Sequence, residues 1–157
     1  MFTAKDVMAL REMSGAGMMD CKKALTECNG DMDKAMDYLR EKSLAASAKK
    51  AARIAAEGIV SSYVSEDAKL GVIVEVNCET DFVAKTDDFK ALVANVAKIV
   101  AEKNPADVDA LMATDCGDGT VAEMITRAVA KIGEKITIRR FARVEAANGC
   151  VDTYIHL

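Results

Sequence analysis

The sequence has 157 residues, 51% of them hydrophobic and 29% charged, which is typical of one globular domain or of a small module joined to a modest core. Lys and Arg total 21 against 25 Asp and Glu, and the formal net charge of −4 argues against nucleic acid as the primary partner. The single His nearly excludes chemistry built on a Ser–His–Asp triad or on several histidine ligands to a metal.

No apolar run approaches the ~18 residues of a membrane span, and residues 1–6 lack the basic start and apolar centre of a signal peptide. Five cysteines form an odd, widely spaced set without a C-x-x-C pair. Such a set indicates free thiols in a reducing compartment. We therefore expect a cytoplasmic protein that is not associated with a membrane.

Residues 1–42 predict three short helices separated by two glycine-containing breaks. Thr3 with Asp6 resembles a capping box, residues 14–17 break the first helix, and residues 29–31 separate the second from the third. Apolar side chains recur at helical spacing over residues 32–39. Residues 43–57 are rich in Ala and contain no Gly or Pro, which predicts a helix connecting two modules.

Beyond Gly58 the hydrophobic period changes to two residues. Two runs rich in Val and Ile, residues 59–64 and 70–77, flank a polar loop and predict a β-hairpin. Helices are predicted at 89–100, 108–112 and 121–132, the last behind a capping box, and two more strands at 136–144 and 150–155. Residues 58–157 thus predict an α+β core, with an antiparallel sheet packed against helices.

A similarity between two stretches of the sequence concerns the C-terminal end of this core. Residues 60–65 (VSSYVS) resemble residues 151–156 (VDTYIH), but only the first copy continues into a partner strand. We therefore expect the core to lack the second of two repeats, and a homodimer is one way to complete it.

The sequence contains no phosphate-binding loop of the G-x-x-x-x-G-K-[ST] type. No cysteine has an evident catalytic base, because the single His lies next to the C-terminal residue. We expect a protein that is not an enzyme and that uses neither a metal nor another cofactor.

The stretch NCETDFVAK, residues 77–85, joins a strongly apolar strand to a helix. One interpretation, which composition favours, buries Phe82 in the core and lets Asp81 cap the next turn. The alternative exposes Phe82 as a projecting wedge that Asp81 guides into a partner's groove, although an exposed Phe is costly.

Several stretches resemble elongation factor Ts, the family of guanine-nucleotide exchange factors of bacterial translation. The longest are SGAGMMDCKKAL (residues 14–25) and EVNCETDFVAK (75–85), and KIGE (131–134), RRF (139–141) and YIH (154–156) follow in order. The resemblance implies that residues 1–42 form a ubiquitin-associated-like domain and that the rest forms the first half of the family's core.

The resemblance also implies a partner, elongation factor Tu, from which GDP is released when the loop at residues 80–83 inserts near the partner's magnesium and phosphate site. The residues that it assigns to partner binding are Thr80, Asp81, Phe82, Val83, Arg11, Met18, Met19, Ile132 and His156.

Two alternatives stay open beside the exchange factor. The three-helix module could bind another protein, without exchange activity. The chain could instead associate with RNA through its basic residues, which are Lys49, Lys50, Arg53, Arg139, Arg140 and Arg143.

Overall fold

The computed structural model describes residues 2–156, and within this range the chain forms seven helices and a three-stranded antiparallel sheet. This confirms the predicted α+β class. The chain divides into two compact units. The first contains the residues up to Ala52 together with Thr126–Glu134, and the second contains Arg53–Ile125 together with the residues from Lys135 onward.

The first unit is built around three helices, α1 (Ala4–Ser14), α2 (Met18–Glu27) and α3 (Met32–Lys50). The predicted capping box is present, since the Asp6 carboxylate accepts the Thr3 backbone N–H at 2.6 Å. The left-handed Gly15, at φ 66°, ends α1. Buried apolar side chains from all three helices form one core: Val7, Leu10, Cys21, Ala24, Leu25, Ala35 and Leu39.

The separate connecting helix predicted at residues 43–57 is wrong as a secondary-structure element. Its first part is the C-terminal end of α3, which runs to Lys50, and residues 54–56 are irregular before the first strand begins at Glu57. The physical reason is that no Gly or Pro stands between Asp31, which caps α3, and Gly58, so nothing interrupts the helix near residue 43. The predicted domain bounds stay a prediction.

The second unit contains the sheet, in the order β1 (Glu57–Val64), β2 (Leu70–Cys78) and β3 (Thr137–Glu145). The β1–β2 hairpin confirms the prediction, and helix α5 (Asp87–Lys103) packs against both strands. Alternate residues of β2 and one face of α5 are almost fully buried: Val72, Val74, Val76 and Cys78 on the strand, and Phe89, Val93, Val96 and Val100 on the helix.

Three further helices complete the set of seven. They are the single turn α4 (Asp81–Ala84), α6 (Val108–Ala113) and α7 (Val121–Ile132). The capping box predicted for α7 is present, because the Glu123 carboxylate accepts the Thr120 backbone N–H at 2.9 Å. None of the helices between residues 2 and 156 has both the length and the apolar character that crossing a membrane would require.

The strand predicted at residues 150–155 is wrong, because these residues are irregular. Val151 donates its backbone N–H to the Ala68 carbonyl in the β1–β2 turn at 2.8 Å, and Thr153 is bonded to Ser62 through the two hydroxyl groups at 3.1 Å. One backbone bond to a turn and one side-chain bond hold the segment beside the hairpin. They do not form the alternating backbone ladder that defines a strand.

All five cysteines lie within the described residues and carry free thiols, as predicted. Cys21 is buried in the core of the first unit and Cys78 is buried at the end of β2 in the second, whereas Cys150 is exposed. The two units therefore each contain a fully buried thiol.

Candidate partner-binding site

Residues 80–83 form one capped helical turn rather than an irregular loop. Thr80 is the N-cap of α4, and its hydroxyl oxygen accepts the Val83 backbone N–H at 3.3 Å. Ala84 is buried where α4 packs against β1 and β2, and Val83 is half-buried. The turn therefore has a fixed shape and a defined inner side.

Phe82 lies on the outer side of this turn, with 79% of its surface exposed. The burial of Phe82 that composition favours is therefore wrong. The reason is geometric, since a single turn has few inward positions and Ala84 takes the buried one. Large aromatic side chains are usually buried, so one that is exposed on a turn of fixed shape is unusual and indicates a contact with another molecule.

The burial interpretation also requires Asp81 to cap the next turn, which is not observed, because Thr80 caps α4. Thr86 caps α5, and the Asp81 carboxylate lies 2.6 Å from the Lys85 ammonium nitrogen. The hydrogen bond from Lys85 lowers the pKa of Asp81. Because the pKa is lowered by folding, the pair stabilises the turn above the ordinary pKa of aspartate, and this contribution is lost as the pH falls through the lowered value.

Three of the predicted contact residues lie in the first unit, around the break between α1 and α2. Arg11 is exposed in the last turn of α1, and its carbonyl accepts the Gly15 backbone N–H at 2.9 Å. Met18 and Met19 begin α2 and are 43% and 74% exposed. Both methionines therefore leave much of their apolar surface outside the three-helix core.

The two remaining candidates are Ile132, at the end of a helix, and His156, in the irregular segment after β3. Ile132 is the last residue of α7 and is half-buried, and it belongs to the first unit. His156 is exposed in the second unit, where its Nδ1 lies 3.2 Å from the Tyr154 hydroxyl. Of the nine candidates, the structure brings residues 80–83 together on one turn and places Arg11, Met18 and Met19 around another.

Sequence reasoning missed the residues that support the α4 turn. Lys85 could have been found, because an acid and a base four residues apart on a helix form a pair. Glu79 had no such signal. Its carboxylate accepts the Lys135 backbone N–H at 2.6 Å and lies 3.3 Å from the Arg53 guanidinium, and these partners are 56 and 26 residues away in the chain.

The fold and the site together define a two-unit α+β protein that carries an exposed aromatic side chain on a capped turn. The family model described as Elongation factor TS matches residues 79–157, which is half of the chain and includes this turn. The chain belongs to the elongation factor Ts family.

Curated relatives extend the likeness over 99% of the chain. It is 59% identical to elongation factor Ts of Clostridium perfringens (strain SM101) over 157 residues. It is 55% identical to that of Clostridium tetani over 159 residues and 52% identical to that of Clostridium acetobutylicum over 158 residues. In each case the match covers 52% of the relative, so the chain spans about half the length of these proteins.

Proposed function

We propose that this chain acts in translation by promoting the release of GDP from elongation factor Tu. The observation that carries the proposal is Phe82, 79% exposed on a capped turn within the stretch that the family model matches. In the proposed complex, residues 80–83 enter the partner near its magnesium and phosphate site, with Phe82 as the wedge and Asp81 beside it.

The chain would act without catalytic residues of its own, through reciprocal coupling of two binding equilibria. If it binds nucleotide-free partner more tightly than GDP-bound partner, then GDP binding to the partner is weakened by the same factor. A thousandfold weakening corresponds to about 4 kcal/mol of differential binding. Burying one Phe side chain supplies at most about 3 kcal/mol, so other contacts must contribute.

The other contacts of the proposed complex come from both units. Arg11, Met18 and Met19 offer charged and apolar surface on the first unit, and Met side chains adapt well to a partner's surface. Ile132 and His156 are the further candidates. A homodimer that completes the core and a cytoplasmic location also stay predictions.

The ion pairs of the arginines weaken the RNA alternative. Arg53 is paired with Glu79, and Arg143 with Glu145. Arg139 and Arg140 share the carboxylate of Glu75, whose pKa is lowered chiefly by the hydrogen bond from Arg140. Three carboxylates therefore already neutralise much of the charge of these four guanidinium groups, and RNA phosphates would have to compete with them.

The test is the release of fluorescently labelled GDP from elongation factor Tu, chased with unlabelled GDP, at increasing concentrations of the chain. We expect the release rate to rise with concentration and then to saturate. In a parallel calorimetric titration the chain alone should not bind GDP. An unchanged release rate at saturating concentrations of folded chain would overturn the proposal.

Met19→Asp is expected to raise the chain concentration needed for half-maximal GDP release about tenfold, because it puts a charge into an apolar contact. The three-helix unit should stay folded, since the Met19 side chain is 74% exposed in the free protein. Circular dichroism and the GDP-release titration check the two parts of this prediction.

The matched control is Met8→Asp, at an exposed methionine of α1 that is 61% exposed and is not among the proposed contacts. It should leave the titration unchanged. Equal effects of the two substitutions, or loss of helix in Met19→Asp, would remove Met19 from the contact surface.

A further inference from the structure

Glu79 occupies the junction between the core and the α4 turn. It follows Cys78, the last residue of β2, and precedes Thr80, the N-cap of α4. Its side chain is only 21% exposed. A carboxylate held in such a position needs partners for its charge.

The partners come from two distant segments of the same unit. Oε1 of Glu79 accepts the Lys135 backbone N–H at 2.6 Å, and both carboxylate oxygens lie within 3.4 Å of Nη1 of Arg53. The Lys135 ammonium in turn donates to the Arg53 carbonyl at 2.8 Å. Each of Arg53, Glu79 and Lys135 thus contacts the other two, and we name this set of contacts the Glu79 clamp.

The bonds inside the α4 turn join only residues that are close in the sequence. The Thr80 cap and the Asp81–Lys85 ion pair connect residues three and four apart, so they set the shape of the turn. They do not set its direction relative to the sheet. A single helical turn has little stability of its own, so its direction has to come from contacts outside it.

Contacts on both sides of Phe82 supply that direction, and one of them on the N-terminal side is the bond from the Cys78 thiol to the Thr80 carbonyl at 3.2 Å. Ala84 is buried against the sheet on the C-terminal side, and the Glu79 clamp ties down the N-terminal side. Charge-assisted hydrogen bonds of the kind that Glu79 forms are roughly twice as strong as neutral ones.

We propose that Glu79 is a positioning residue, which through its bonds to Arg53 and Lys135 holds the α4 turn so that Phe82 projects in a fixed direction. The consequence for GDP release rests on the proposed function, whereas the effect on the turn itself does not. A small misplacement of an interacting group can reduce a rate by about a hundredfold, so holding the wedge in place matters for its effect.

Three variants separate the contributions of the clamp. Glu79→Ala removes both contacts. Glu79→Gln keeps an acceptor oxygen for the Lys135 amide but loses the charge that faces Arg53. Glu66→Ala is the matched control, since Glu66 is an exposed carboxylate in the turn between β1 and β2.

The first measurement is hydrogen exchange of the free protein. The amides of residues 83–86 are bonded within the turn, so their exchange reports its opening. In Glu79→Ala this exchange should become about tenfold faster, and in Glu79→Gln less so, while the amides of β2 and α5 keep their protection. Glu66→Ala should match the wild type.

The second measurement is GDP release from elongation factor Tu. In Glu79→Ala the maximal rate at saturating chain should fall about tenfold, while the half-saturating concentration changes less than about twofold. Glu79→Gln should recover part of the maximal rate. A loss that came only from unfolding would instead raise the half-saturating concentration, because less of the chain would be active.

The outcomes distinguish this inference from the proposed function. If wild-type chain does not promote GDP release, the proposed function fails and hydrogen exchange alone decides on the clamp. Unchanged exchange at residues 83–86 in Glu79→Ala overturns the clamp, and so does faster exchange throughout β2 and α5. Should Glu79→Ala not fold, Arg53→Gln removes the ion pair alone and should speed exchange at residues 83–86 about threefold.

Discussion

Phe82→Ala is expected to slow chain-promoted GDP release from elongation factor Tu at least about tenfold, while the free energy of unfolding changes by less than about 1.5 kcal/mol. The two effects separate because Phe82 is 79% exposed in the free protein and has little burial to lose there. In the proposed complex the same side chain becomes buried, and its truncation removes that gain.

The release rate and a chemical denaturation curve should be measured on the same preparation of Phe82→Ala. A loss of about 3 kcal/mol in stability with unchanged release would mean that Phe82 supports the fold of the free protein.

Asp81→Ala should also slow GDP release, but less than Phe82→Ala does, since the Asp81 carboxylate is already paired with Lys85 in the free protein.

Phe89→Ala, seven residues further on, is expected to have the opposite profile. Its side chain is fully buried between α5 and the sheet, so its truncation should lower the free energy of unfolding by about 3–5 kcal/mol. Denaturant unfolding followed by circular dichroism measures this loss. At temperatures where the variant remains folded, the maximal rate of GDP release should stay close to that of the wild type.

The matched control for Phe89→Ala is Lys90→Ala, at the neighbouring exposed position of α5. It should change stability by less than about 0.5 kcal/mol. If Phe89→Ala cost less than about 1 kcal/mol, the packing of α5 on the sheet would contribute far less to stability than the burial of Phe89 indicates.

Much of the fold could be predicted because its signals are local. The capping boxes at Thr3 and Thr120, the left-handed Gly15 and the alternation of Val residues in β2 all act within a few residues of chain. The end of α3 has no such signal, since no Gly or Pro marks it. The sequence pattern therefore predicts a separate connecting helix from residue 43, where α3 in fact continues to Lys50.

The candidate site was less predictable, because exposure and support depend on packing. Composition puts a Phe in the core, yet Ala84 takes the inward position of α4 and leaves Phe82 outside. The exposure of Phe82 agrees with the alternative interpretation, in which its side chain projects from the surface, and its role as a wedge in a partner stays a prediction. Glu79 finds its partners across 26 and 56 residues, and no local pattern in a single sequence reveals contacts of that range.

The placement of the buried thiols gives each unit its own reporter of unfolding. Cys21 and Cys78 are inaccessible to a thiol reagent until the structure around them opens, so the rate of labelling at each site measures an opening free energy. Peptide mapping distinguishes these two sites from the exposed Cys150, which reacts in the folded protein. Once each rate is divided by the rate of the same thiol in the unfolded chain, unequal opening free energies at Cys21 and Cys78 would mean that the two units open separately, and equal ones are expected if they open as one cooperative block.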